Sequence, residues 1–98
     1  MKREVALARL KPLESRLRQQ GVSALYLFGS TARNEARDDS DLDLMYDYDP
    51  ATKFSLFDQL GIMQQISDAL GAKIDLVSRY GVHPYLKARV EADAIRVF

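Results

Sequence analysis

Between residues 35 and 49 the chain carries the carboxylates Glu35, Asp38, Asp39, Asp41, Asp43, Asp47 and Asp49 against a single basic residue, Arg37. Within that run Asp41-Leu42-Asp43-Leu44 alternates strictly. Side chains along a strand point to opposite faces in turn, so both carboxylates fall on one side and both leucines enter a core. Two carboxylates about 7 Å apart along a strand repel, and divalent cations held between them relieve the repulsion. Asp75, between Ile74 and Leu76, repeats the pattern, and a carboxylate from another strand would complete an oxygen-only triad. The chain has no cysteine and one histidine, His83, which excludes disulfides, iron–sulfur clusters, thiolate zinc sites and histidine-rich metal sites. A resident metal must therefore take oxygen ligands.

Gly29-Ser30 directly follows the apolar run of residues 24–28. A residue without a side chain lets phosphates approach the backbone, the start of a following helix offers N–H donors, and Ser30 adds a hydroxyl. Arg33, one turn further on, could meet a phosphate.

Several elements must position these residues. The spacing of Val5, Leu7, Leu10, Leu13 and Leu17 predicts a helical region ended by Gly21, with Pro12 breaking it into two short helices. Residues 24–28 read as a strand buried on both faces. Ser30 is expected to cap a short helix beginning at Thr31, and Asp38-Asp39-Ser40 to form a turn. A second strand is expected from residue 41 to about 46, ended by Pro50, with Asp47 and Asp49 as solvated turn residues. Leu56, Leu60, Met63, Ile66 and Leu70 mark a helix between a Ser55 cap and a Gly71 stop. A third strand over 73–78, a helix over 84–93 and a terminal strand over 94–98 complete the order. Ile95, Val97 and Phe98 are assigned to the core. Together these predict an α+β fold, a small mixed β-sheet packed against helices, in one domain spanning 1–98.

Gly29-Ser30, ten intervening residues, Asp41-x-Asp43 and a later Asp75 resemble the nucleotidyltransferase superfamily that includes DNA polymerase beta, and more narrowly the minimal nucleotidyltransferases. The likeness extends from Leu25-Tyr26-Leu27-Phe28-Gly29-Ser30-Thr31-Ala32-Arg33 through Ser40-Asp41-Leu42-Asp43-Leu44, Phe54-Ser55-Leu56-Phe57 and Ile74-Asp75-Leu76-Val77 to Ala94-Ile95-Arg96-Val97-Phe98. It implies the polymerase beta-like fold. It also implies that Asp41, Asp43 and Asp75 are catalytic and bind two magnesium ions, and that Gly29 and Ser30 hold the triphosphate of the substrate ATP; Arg33 is assigned to nucleotide binding from its place one turn on, with a solvated surface arginine as the alternative reading. Where the family usually has glycine after the arginine, this chain has Asn34, which tolerates a left-handed backbone better than most residues.

Proteins of this size in that family commonly act as antitoxins beside a HEPN-type ribonuclease toxin, and the resemblance implies AMP transfer from ATP to a toxin tyrosine, with a hetero-oligomer as the working assembly. The alternatives are an antitoxin that neutralises by contact, which the intact triad argues against, and a small-molecule nucleotidyltransferase, for which 98 residues leave no acceptor domain. The balance of 14 basic and 14 acidic residues gives no electrostatic reason for strong nucleic-acid or membrane binding. With no run of about 20 apolar residues, the expected location is the cytoplasm. His83 reads as a loop or cap residue without a role. Of Tyr46, Tyr48, Phe54 and Phe57, Tyr48 is the expected exposed ring. The basic residues near the N-terminus, from Lys2 to Arg18, read as a solvated face.

Overall fold

The computed structural model describes residues 1–37, 41–79 and 84–98. The expectations for Asp38, Asp39, Ser40 and His83 lie outside them. Helix α1 (Arg3–Leu10) meets a 3-10 turn (Lys11–Leu13) that places Pro12 near its start, and α2 (Glu14–Gln19) follows. The break at Pro12 is thus where its missing donor requires one. No helix among the described residues is long and apolar enough to cross a membrane.

Four strands make one sheet among the described residues, in the order β3-β2-β1-β4. They are β1 (Val22–Phe28), β2 (Leu42–Tyr48), β3 (Ile74–Ser78) and β4 (Ile95–Arg96). β1 runs antiparallel to β2 and β4, while β2 and β3 are parallel. A parallel pair needs a long crossover, and α4 (Leu56–Leu70) supplies it. Two further helices, α3 (Gly29–Ala32) and α5 (Pro84–Asp93), follow β1 and precede β4. The mixed sheet with helices is the architecture the sequence predicts.

Alternation decides the two sheet faces. Leu25, Leu27, Leu42, Leu44 and Leu76 are buried together with Leu10, Leu17, Ile62, Ile66 and Leu70 from the helices. The opposite face carries Asp43, Met45 and Asp47 of β2, Tyr26 and Phe28 of β1, and Asp75 of β3, as the register shows. Val97 and Phe98 are buried, so the C-terminus is core, and Leu25 continues the edge pairing with both.

Several boundaries differ from the sequence reading. β1 begins at Val22, with a register shift between Val22 and Ala24 that lets Val22 enter the core early. β2 runs on to Tyr48, because Val22 and Ala24 supply partners for Tyr48 and Asp47. Asp47 is therefore a half-buried strand residue, not a solvated turn residue, whereas Asp49 does sit in a turn, accepting from the Ala51 N–H.

α4 starts with the expected cap: Ser55 and Asp58 form a reciprocal capping box, and Gly71 ends the helix at φ 65°. Its buried stripe is displaced from the predicted one. Ile62, Ile66 and Leu70 are buried, while Leu56, Phe57 and Leu60 are 68%, 85% and 46% exposed. Near the first turns Gln59 takes the inward position instead, accepting from the buried Tyr46 hydroxyl and donating to the Leu76 carbonyl. Phe57, not Tyr48, is the exposed ring, because Tyr48 stacks on Phe54 with centroids 5.3 Å apart.

Candidate active site

The site forms where β1 leaves the sheet and β2 and β3 enter it. Asp43 is paired with Phe28 on one side and with Asp75 on the other. Parallel neighbours lie about 4.8 Å apart, so the register alone sets Asp75 beside Asp43. Asp41 stands one residue before β2 and is exposed, as is Asp75, while Asp43 is half-buried.

Burial, then the charges of Asp75 and Asp41, push the Asp43 carboxyl above its ordinary range, and Arg33 draws it back. Among the described residues no three ligand-type side chains are already gathered into a metal cluster. The backbone brings Asp43 and Asp75 abreast, and closing the set around a cation is left to side-chain torsions. Three mutually repelling carboxylates, in a chain without cysteine and with no imidazole beside them among the described residues, suit a hard cation such as magnesium.

Gly29 has φ +75°, and a Cβ built on it would overlap the Asp43 carboxylate. Glycine is needed twice here, for the left-handed backbone and for the close approach of the acid. The sharp turn makes Gly29 itself the first residue of α3, so the short helix begins two residues earlier than expected and Ser30 does not cap it. Phe28 takes the cap position, without a side-chain hydrogen bond. Ser30 lies within the turn, and its carbonyl accepts from the Glu35 N–H at 2.8 Å. Asn34, with φ 60°, is left-handed, a conformation asparagine tolerates better than most residues.

Arg33 caps the C-terminal end of α3. Its guanidinium donates from Nη1 to Asp93 at 2.6 Å and from Nε to Glu35 at 3.2 Å. The sequence reading placed Arg33 near phosphates but could not see Asp93, 60 residues away. Further along the same sheet face, Arg79 donates to Asp47 Oδ2 at 3.3 Å, and its guanidinium lies over the Tyr26 ring. Asp47 Oδ1 is buried without a hydrogen-bond partner among the described residues. Tyr26, Met45, Arg79, Glu91, Ala94 and Arg96 line a cavity of about 340 Å³ there.

An oxygen-only edge reached through a glycine-tight turn is suited to phosphoryl chemistry on bound cations. Residues 11–98 match the family described as Polymerase beta, Nucleotidyltransferase, and the chain belongs to that family. A relative from Methanocaldococcus jannaschii, named as a protein adenylyltransferase, is 36% identical over 77 residues, 78% of this chain and 77% of the relative. Among solved structures, a minimal nucleotidyltransferase is 35% identical with a TM-score of 0.82, covering 97% of this chain and 95% of its own. A chain from the complex of tri-AMPylated Shewanella oneidensis HEPN toxin with MNT antitoxin has a TM-score of 0.69. It is 19% identical over 95% of this chain and 71% of its own, a likeness of fold.

Proposed function

We propose that the chain transfers AMP from ATP to a tyrosine hydroxyl of a HEPN-type ribonuclease toxin and is the antitoxin of that pair. The observation that carries the reading is the β2–β3 register that sets Asp43 abreast of Asp75, with Asp41 one residue before β2 and Asp43 packed against the Gly29 turn. The M. jannaschii relative's name supports protein adenylylation, and the toxin–antitoxin complex with the same fold supports the kind of partner.

Asp41, Asp43 and Asp75 would hold two magnesium ions, which supply neutralisation of the triphosphate and polarisation of the reacting oxygens. The turn at Gly29 and Ser30 cradles the triphosphate, and Arg33 adds a permanent positive charge beside it. The acceptor oxygen forms a bond to the α-phosphorus as the bond from that phosphorus to the pyrophosphate oxygen breaks. Pyrophosphate leaves, and the exposed Asp75 carboxylate takes up the acceptor's proton before passing it to water. Exposure suits Asp75 to this step, because the acceptor must arrive from outside a domain this small.

Pyrophosphate release from ATP with magnesium, with and without a HEPN-type ribonuclease toxin, tests the reading. Release that requires both magnesium and the toxin supports it. Tight association of the two proteins without release contradicts it and favours neutralisation by contact.

A further inference from the structure

Helix α5 ends on two acids, Glu91 and Asp93, with no basic residue in its last turn. The C-terminal end of a helix carries partial negative charge and favours cations, so carboxylates there are misplaced as far as the helix itself is concerned. Each finds an arginine across the fold: Arg79 Nη2 lies 3.9 Å from Glu91 Oε1, and Arg33 Nη1 lies 2.6 Å from Asp93 Oδ2.

The two pairs differ in what they hold. Arg79 is also anchored by Asp47, away from the carboxylate triad. Arg33 stands one turn beyond Gly29, whose carbonyl accepts from the Arg33 N–H at 3.2 Å, and Gly29 packs against the Asp43 carboxylate. Its side chain is 44% exposed, and a long exposed arginine left to itself samples many rotamers. Contacts to Asp93 and Glu35 engage Nη1 and Nε, and a guanidinium has five N–H donors in a fixed fork. Among the described residues Nη2 has no hydrogen-bond partner, so the ion pair fixes the fork while leaving donors for a ligand.

We propose that Asp93 is a positioning residue for nucleotidyl transfer, holding the Arg33 guanidinium beside the carboxylate triad so that its remaining N–H donors meet the triphosphate. Asp93 touches neither substrate nor reacting atoms. The inference rests on the reading of this site as an ATP site, and it adds a residue from α5 to a site otherwise built from β1, α3, β2 and β3. It also gives the otherwise unfavourable acid at the end of α5 a reason.

The test is binding of magnesium AMP-PNP to the purified chain by calorimetry, with KM and kcat for ATP measured beside it. Without its carboxylate partner the arginine must be ordered at the moment of binding. Asp93→Asn is therefore expected to weaken AMP-PNP about two- to tenfold and to raise KM with little change in kcat. Asp93→Glu should recover most of the loss, and in an Arg33→Ala background Asp93→Asn should add nothing. A merely structural acid would instead lower the melting temperature of both backgrounds and leave binding unchanged, which overturns the proposal. If Arg33→Ala weakens binding and Asp93→Asn does not, the proposal fails and the ATP site stands. If Arg33→Ala binds as the wild type does, the proposal fails at its first step. If the wild-type chain does not bind magnesium AMP-PNP, both fail.

Discussion

Gly29 and Asp43 fit together so closely that the Asp43 carboxylate occupies the space where any other residue at position 29 would carry its Cβ. The turn proposed to receive the triphosphate and the acid that faces it are thus one packing unit. Gly29→Ala meets two penalties, a side chain at φ +75° and an overlap with Asp43. We predict a loss of stability of more than about 1 kcal/mol and a loss of AMP transfer larger than that destabilisation explains. Denaturant unfolding and transfer assays on one preparation check both.

Asp43 titrates above the ordinary carboxylate range because it is buried beside two other acids. The folded chain therefore holds that proton more tightly than the unfolded chain, and the group favours folding at low pH. Its contribution is lost as the pH rises from the ordinary carboxylate range through the raised value. In metal-free buffer at neutral pH, Asp43→Asn should melt higher than the wild type. Magnesium should raise the wild-type melting temperature and leave that of the variant nearly unchanged. Activity should fall by more than the about 10–100-fold typical of losing an outer-shell partner. Thermal scans across pH, with and without magnesium, read these signs.

Arg79 is the partner of Asp47, whose Oδ1 is already buried without one. Arg79→Met removes the donor to Asp47 Oδ2 found among the described residues, and with the guanidinium 41% exposed a destabilisation of no more than about 1 kcal/mol is expected. Adding Asp47→Leu should restore part of it, since replacing both partners by apolar groups is far less costly than orphaning one. A double-mutant cycle by urea unfolding measures the coupling.

On α4 the two faces should respond in opposite ways. Ile66→Ala opens a cavity in the core and should cost about 2–5 kcal/mol. Phe57→Ser, at an 85% exposed position, should change stability by less than about 0.5 kcal/mol. Equal effects at the two positions would place the helix in a different rotation.

Local rules account for what the sequence made legible. Alternation set Asp43 on the face opposite Leu42 and Leu44, Gly29 marked the turn, Ser55 and Gly71 marked the limits of α4, and Pro12 marked the break in the N-terminal helix. Each is decided by a residue and its immediate neighbours. What could not be read depends on meetings across the chain. Asp93 reaches Arg33 from 60 residues away, and the only local sign was an acid where a helix end prefers a base. Asp47 looked like a turn residue because Pro50 follows closely, yet pairing with β1 carries the strand past it. Gln59 displaced Leu56 and Leu60 from the inward face because the Tyr46 hydroxyl and the Leu76 carbonyl needed partners there, a demand set by β2 and β3.

This carboxylate edge is proposed to move AMP onto a partner protein. The most direct measurement is the intact mass of a HEPN-type ribonuclease toxin after incubation with magnesium, ATP and this chain, beside the Asp41→Asn, Asp43→Asn double variant. The account predicts a gain of one or more AMP units on a toxin tyrosine with the wild type and none with the variant. A toxin that binds the wild-type chain tightly, is neutralised and keeps its unmodified mass would contradict it.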